Sequence, residues 1–123
     1  MTVRPVPAPP DFTPELRHLW NRVQRQLRRQ ATWADTDADV LESYCRAVEV
    51  AQRARAEAAV APLTTDGSRG QLVPHPAHKA AREAASDARA YAAALLLTPA
   101  SRRRAGIDAA KASPESELAA ILA

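Results

Sequence analysis

The chain has 123 residues, 46% of them hydrophobic, with a net charge of +3 and a pI near 9.6. Alanine accounts for 29 of the apolar positions, leaving 28 larger residues for a core, of which five are aromatic: Phe12, Trp20, Trp33, Tyr44 and Tyr91. A chain this short buries only ~65% of its unfolded surface, so one domain completed by helix pairing or self-association is expected. The three glycines, Gly67, Gly70 and Gly106, form neither GxGxxG nor GxxxxGK[ST], which excludes phosphate-binding loops of those kinds.

Residues 1–12 hold four of the ten prolines, at Pro5, Pro7, Pro9 and Pro10, and read as a flexible, polyproline-like arm rather than a packed element. Thr13 as N-cap, Pro14 at the first helical position and Glu15 in the first turn then start a helix. Leu16, Leu19, Trp20, Val23 and Leu27 recur at helical spacing and form one stripe over about residues 14–30. Arg22, Arg25 and Arg29 fall opposite that stripe, with Arg28 beside them.

A short connector, 31–35, contains Trp33. Thr36 reads as the next N-cap, followed by Asp37 and Asp39 in a first turn whose dipole favours carboxylates. Helix 2 is predicted over about 37–59, with Val40, Leu41, Tyr44, Val48 and Ala51 facing inward. So short a link predicts an antiparallel pairing of helices 1 and 2. Larger apolar residues gather in this pair, which makes it the expected self-sufficient unit.

From Ala61 to Pro74 the helical pattern stops. Asp66-Gly67 and Arg69-Gly70 are turn signals, and either a small β-hairpin or a mobile loop fits. His75-Pro76 opens helix 3, whose face Ala77, Ala81, Ala84, Ala88, Tyr91, Leu95 is made of small residues until its end. Small residues let helix axes come close, which suits a tight pair or a subunit contact. Thr98-Pro99 starts a short helix through Arg104, and Ser113-Pro114-Glu115 starts another before Leu118, Ile121 and Leu122. The fold class is therefore all-α. Residues 13–107 form the principal helical domain, and 108–123 a short C-terminal segment.

Charge differs by segment. Residues 13–30 carry +4, residues 35–60 carry −3 and residues 76–105 carry +4. Of the 17 basic residues only Lys79 and Lys111 are lysine. Arginine's planar fork suits phosphate, although a GC-rich genome also yields Ala, Arg and Pro together. Two arginine groups are candidates for binding DNA phosphates in a salt-dependent way: Arg22, Arg25, Arg28 and Arg29 on helix 1, and Arg102, Arg103 and Arg104 near the C-terminal side. Neither is interleaved with aromatics as in a single-strand stacking platform.

Other chemistry finds little support. His75 and His78 lack the spacing partners of a zinc site and read as capping or surface residues. Asp35, Asp37 and Asp39 lack the glycine and distal glutamate of a calcium loop. No GxSxG elbow occurs. No catalytic, metal or cofactor site is expected. The single Cys45 points to a reducing compartment. No signal peptide is evident, and the longest apolar run near the C-terminal side, 91–97, is far short of a membrane span. A cytoplasmic protein is expected.

The order of these features resembles the small subunit of phage terminase. The shared elements are Pro9-Pro10-Asp11-Phe12-Thr13, the Trp20 helix, Thr36-Asp37, Tyr44 in LESYCRAV, the Gly70 loop, His75-Pro76 and Leu97-Thr98-Pro99-Ala100-Ser101-Arg102. That family commonly ends this region Leu-Gly-Leu-Thr-Pro-x-x-Arg, and here Leu96 stands in the glycine place. The resemblance implies a non-catalytic packaging component of the host cytoplasm. Such a component forms a homo-oligomeric ring, recognises double-stranded viral DNA at the packaging site, and recruits and regulates a large subunit carrying the ATPase and nuclease. Leu118, Ile121 and Leu122 are then candidates for contacting that large subunit. The competing expectation is a helical protein–protein scaffold that does not touch DNA.

Overall fold

The computed structural model describes residues 4–107. It is mostly helical, with α1 (Pro14–Arg29), a 3-10 turn (Asp35–Asp37), α2 (Ala38–Val60), strands β1 (Thr64–Asp66) and β2 (Leu72–Pro74), α3 (Pro76–Ala94) and α4 (Pro99–Arg104). Leu118, Ile121 and Leu122 lie outside the described residues.

Local chemistry sets the helix starts. The Thr13 side chain accepts from the Leu16 amide at 3.2 Å, with Pro14 at the first helical position. Thr98 does the same for Ser101, and Pro99 follows it. His75 Nδ1 accepts from the Ala77 amide at 3.1 Å, and the His78 Nε2–H donates to the Pro62 carbonyl at 2.9 Å. Both histidines thus fasten the entry to α3. Thr36, expected as a cap, lies inside the 3-10 turn, and helix α2 begins after Asp37. The Asp37 carboxylate instead accepts from the Ala34 amide at 3.0 Å, because a carboxylate three residues on reaches back where a short connector leaves an N–H unpaired.

Three of the four described α-helices end in one pattern, while α2 runs straight into extended chain at Ala61. After α1, α3 and α4 the chain turns through a left-handed residue: Ala31 (φ 59), Leu96 (φ 61) and Gly106 (φ 73). Each end has the paired backbone bonds of a Schellman motif. For α1 these run from Ala31 to the Arg28 carbonyl and from Thr32 to that of Leu27, both at 3.0 Å. Leu96 therefore keeps the helix break that its place in the family pattern assigns to glycine.

Strands β1 and β2 pair antiparallel, with Thr65 opposite Val73. Between Gly67 and Gln71 the loop is a tight turn closed by Gly70 at φ 77, the three-residue hairpin geometry in which a left-handed position favours glycine. This β-hairpin returns the chain so that α3 runs antiparallel to α2. The α2–α3 pairing is the most extensive in the molecule and exceeds that of α1 with α2. The alanines on both helices permit this close approach.

The core sits at one end of that helical pair. It joins Phe12, Leu16, Trp20, Val23 and Leu27 to Leu41 and Cys45 of α2 and to Leu95 just after α3, with Val6, Ala8, Leu19, Trp33, Tyr44 and Leu97 packed around them. Helices α1 and α2 are therefore not a closed unit, since Leu95 completes their core. Cys45, not among the inward positions expected for α2, is fully buried, whereas Val40, expected inward, is 36% exposed. Burial pushes the Cys45 thiol up to about 12.

Residues 4–12 of the proline arm are fastened to α1 and α2 rather than free. Phe12 is buried edge-on against Trp20, with ring centroids 6.0 Å apart. Trp20 Nε1–H donates to the Val6 carbonyl at 2.9 Å. The buried Gln24 amide accepts from Val6 N–H at 2.9 Å and donates to Val6 C=O at 3.0 Å. A polyproline segment has no internal hydrogen bonds, so a side-chain amide and an indole can hold its backbone without breaking anything. Arg46 adds a bidentate pair with Asp11 at 3.1 and 3.2 Å, and its guanidinium lies 5.1 Å from the Phe12 ring centroid.

Candidate nucleic-acid interface

The buried stripe of α1 fixes what its other side shows. With Leu16, Trp20, Val23, Gln24 and Leu27 inward, His18, Asn21, Arg22, Arg25 and Arg29 are all exposed. His18 and Arg25 are seven residues apart, two turns of one helix, and Asn21 lies between them. The side chains of His18, Asn21, Arg22 and Arg25 have no hydrogen-bond or ion-pair partner among the described residues. Glu15 is the sole acid on α1. The result is a cationic ridge fixed to the core by its opposite side.

The six other arginines of interest differ in how available they are. Arg29 is exposed and bonds only the Gln26 side chain, at 3.1 Å. Arg28 is half-buried and committed: it donates to Gln24 Oε1 at 3.0 and 3.2 Å, lies 5.7 Å from the Trp33 ring centroid and faces Asp35 at 3.9 Å. Arg102 folds back to donate to the Leu97 carbonyl at 2.8 Å, and its Nε is buried with no partner. Arg103 and Arg104 are exposed at the end of α4. Arg17 donates to the Phe12 carbonyl at 3.2 Å.

The two arginine groups meet through one stretch of backbone. The Gln30 side chain, next to Arg29, donates to the Leu96 carbonyl at 3.3 Å, and Arg102 binds the adjacent Leu97 carbonyl. The C-terminal end of α1 and the start of α4 therefore lie together.

Two clefts flank the ridge. One runs between α1 and α2 and is lined by His18, Arg22, Tyr44, Glu49 and Gln52. The other lies between α1 and the arm and is lined by Pro5, His18, Asn21, Gln24, Arg25 and Arg28. Sequence reasoning missed Gln24 as the clamp of the arm and did not single out His18 or Asn21 on the ridge. The signal was present for the latter two, because both sit at the ridge spacing set by Arg25.

Elsewhere the α2–α3 pair is shallow on both sides. Ala47, Val50, Ala84, Ala90 and Tyr91 line one face together with Arg46 and Asp87, and Val48, Ala51, Ala81, Ala85 and Ala88 the other together with Arg55, Arg82 and Arg89. Among the described residues no group of three or more His, Cys, Asp or Glu could hold a metal ion, and no helix is long and apolar enough to cross a membrane.

A family model described as phage terminase, small subunit, matches residues 17–112. No curated protein and no solved structure matches the chain.

Proposed function

Because the chain belongs to the phage terminase small-subunit family, with its role in phage DNA packaging, we propose that it is the non-catalytic adaptor of the packaging motor. In this reading it binds double-stranded viral DNA at the packaging site in the host cytoplasm and brings the large, ATP-hydrolysing and DNA-cutting subunit to it. The observation that carries the reading is the unpaired ridge of α1, where Arg22, Arg25 and Arg29 stand exposed. Arg103 and Arg104, exposed on α4, are further candidates for phosphate contact. Arg28 and Arg102 are less available to phosphate, since their guanidinium groups are held within the fold.

Copies assemble through the two alanine-rich faces of the α2–α3 pair, one face of a copy against the opposite face of the next. Contacts of this heterologous kind close into rings when the rotation allows. A ring multiplies weak phosphate contacts into strong joint binding. The segment holding Leu118, Ile121 and Leu122 is the proposed contact for the large subunit.

Two measurements test this. Native mass of the purified protein, alone and with the large subunit, should lie well above that of the monomer, and a monodisperse monomer at tens of micromolar overturns the ring. Retention of a duplex DNA fragment should fall when Arg22, Arg25 and Arg29 are replaced together by Ala. Unchanged retention favours the scaffold without DNA contact.

A further inference from the structure

We propose that α1 enters the major groove of B-form DNA and reads base edges with Asn21 and Arg25, while Arg22 and Arg29 hold the phosphates. This rests on the DNA-binding reading above and goes beyond it, because phosphate contact alone carries no sequence information.

Three features of the ridge point to a groove rather than a flat electrostatic contact. First, its crest is not uniformly cationic. Asn21 and His18 share it with Arg25, and these are side chains with directional donors and acceptors. Asn pairs bidentately with adenine and Arg with guanine in the major groove. Second, apart from the single His18 imidazole, the crest has no apolar or aromatic side chain over Asn21, Arg22, Arg25 and Arg29. That composition suits neither an apolar protein partner nor stacking on unpaired bases. Third, Asn21 and Arg25 line one and the same cleft, between α1 and the arm, so the two directional side chains border a single opening that a base edge can enter. A helix is ~10–12 Å wide with its side chains and the major groove of B-DNA is ~12 Å wide. The deep, narrow major groove of duplex RNA does not admit it.

The supports of the ridge add to the case. Side chains that read bases must be held by a rigid base, and α1 is fixed by the buried Trp20 and Gln24 directly behind the crest. Asn21 and Arg25 follow Trp20 and Gln24 by one residue each, so each proposed reader is adjacent in sequence to a clamp of the arm.

The test is selection of duplexes from a random-sequence library by the full-length protein, followed by binding of the selected and an unselected duplex over a salt series. Far-UV circular dichroism checks that each variant is folded. The expected result is an enriched motif whose preference falls ~5- to 100-fold at one or two positions in Asn21→Ala and Arg25→Ala, as lost base contacts do. In both variants the selected duplex should lose more affinity than the unselected one. Arg22→Ala and Arg29→Ala should weaken both duplexes alike and each lower the salt slope by ~1. Methylation of guanine N7 in the motif, a major-groove modification, should abolish the preference.

Retained DNA binding with no enriched motif overturns groove reading and leaves the adaptor intact. A motif indifferent to Asn21→Ala, Arg25→Ala and N7 methylation also overturns it. If the wild-type protein and the Arg22, Arg25, Arg29 triple variant bind the unselected duplex equally, the DNA-binding reading itself fails.

Discussion

The two ends of the α2–α3 pair are built from different materials. At the core end, Trp20, Leu27, Leu41 and Cys45 are buried almost completely. At the β-hairpin end, Val60, Leu63 and Leu72 are 87%, 79% and 74% exposed. In between, Ala84 is the sole buried residue of α3. Buried apolar area is the main stabilising quantity, so the arm end holds the fold and the hairpin end is carried by it. What the distal half offers instead is surface: small side chains on two faces, open to another copy.

Breaking each end separately tests this contrast. Trp20→Ala should have the largest effect, about 3–5 kcal/mol for a buried aromatic, enough to unfold so small a domain. Leu72→Ser at the far end should stay within about 0.5 kcal/mol. Urea denaturation of both variants checks the difference, and similar losses would refute the division. Gln24→Ala comes next. It leaves the Val6 backbone without its amide clamp, a loss of about 1–3 kcal/mol, and should expose the arm to limited proteolysis before the helices are cut.

Ala31→Gly should act in the opposite direction. A left-handed non-glycine residue is strained, so relief by glycine should raise stability by up to about 1 kcal/mol, read as a higher urea midpoint. The smallest effect belongs to Asp11 and Arg46, both on the surface. Arg46 beside Asp11 holds its carboxyl below the usual carboxylate range, chiefly through their hydrogen bonds. The folded group is thus the stronger acid. Its contribution is present at neutral pH and is lost as pH falls through its lowered value. Asp11→Asn should flatten the acid side of the stability–pH profile and leave its neutral and alkaline sides as in the wild type.

Much of this fold is written in local signals. Thr13-Pro14, His75-Pro76 and Thr98-Pro99 mark helix starts because capping chemistry acts within three residues. The turn at Gly70 is legible for the same reason. The arm was not, because its anchor is Gln24, 18 residues from Val6, and a glutamine on a basic helix carries no mark of burial. The inward place of Cys45 is illegible for a related reason: the inward face of α2 is set by where Leu95 returns, which depends on the hairpin. At the candidate site the arginines were legible as charge, but which of them are committed was not. Arg28 differs from Arg25 through Gln24, Trp33 and Asp35, and Arg102 through the Leu97 carbonyl, near neighbours in the chain whose side of the fold charge alone does not mark.

The bond from Gln30 to the Leu96 carbonyl spans 66 residues, and this has a kinetic consequence. Closing a loop costs entropy that grows with its length, whereas α2 and α3 can zip outward from the tight turn at Gly67–Gln71. The order of events should therefore be hairpin first and docking of α1 last. In stopped-flow experiments Ala84→Gly should then slow folding, and Gln30→Ala should chiefly speed unfolding. The reverse assignment would mean that α1 nucleates the chain and the hairpin is added to it.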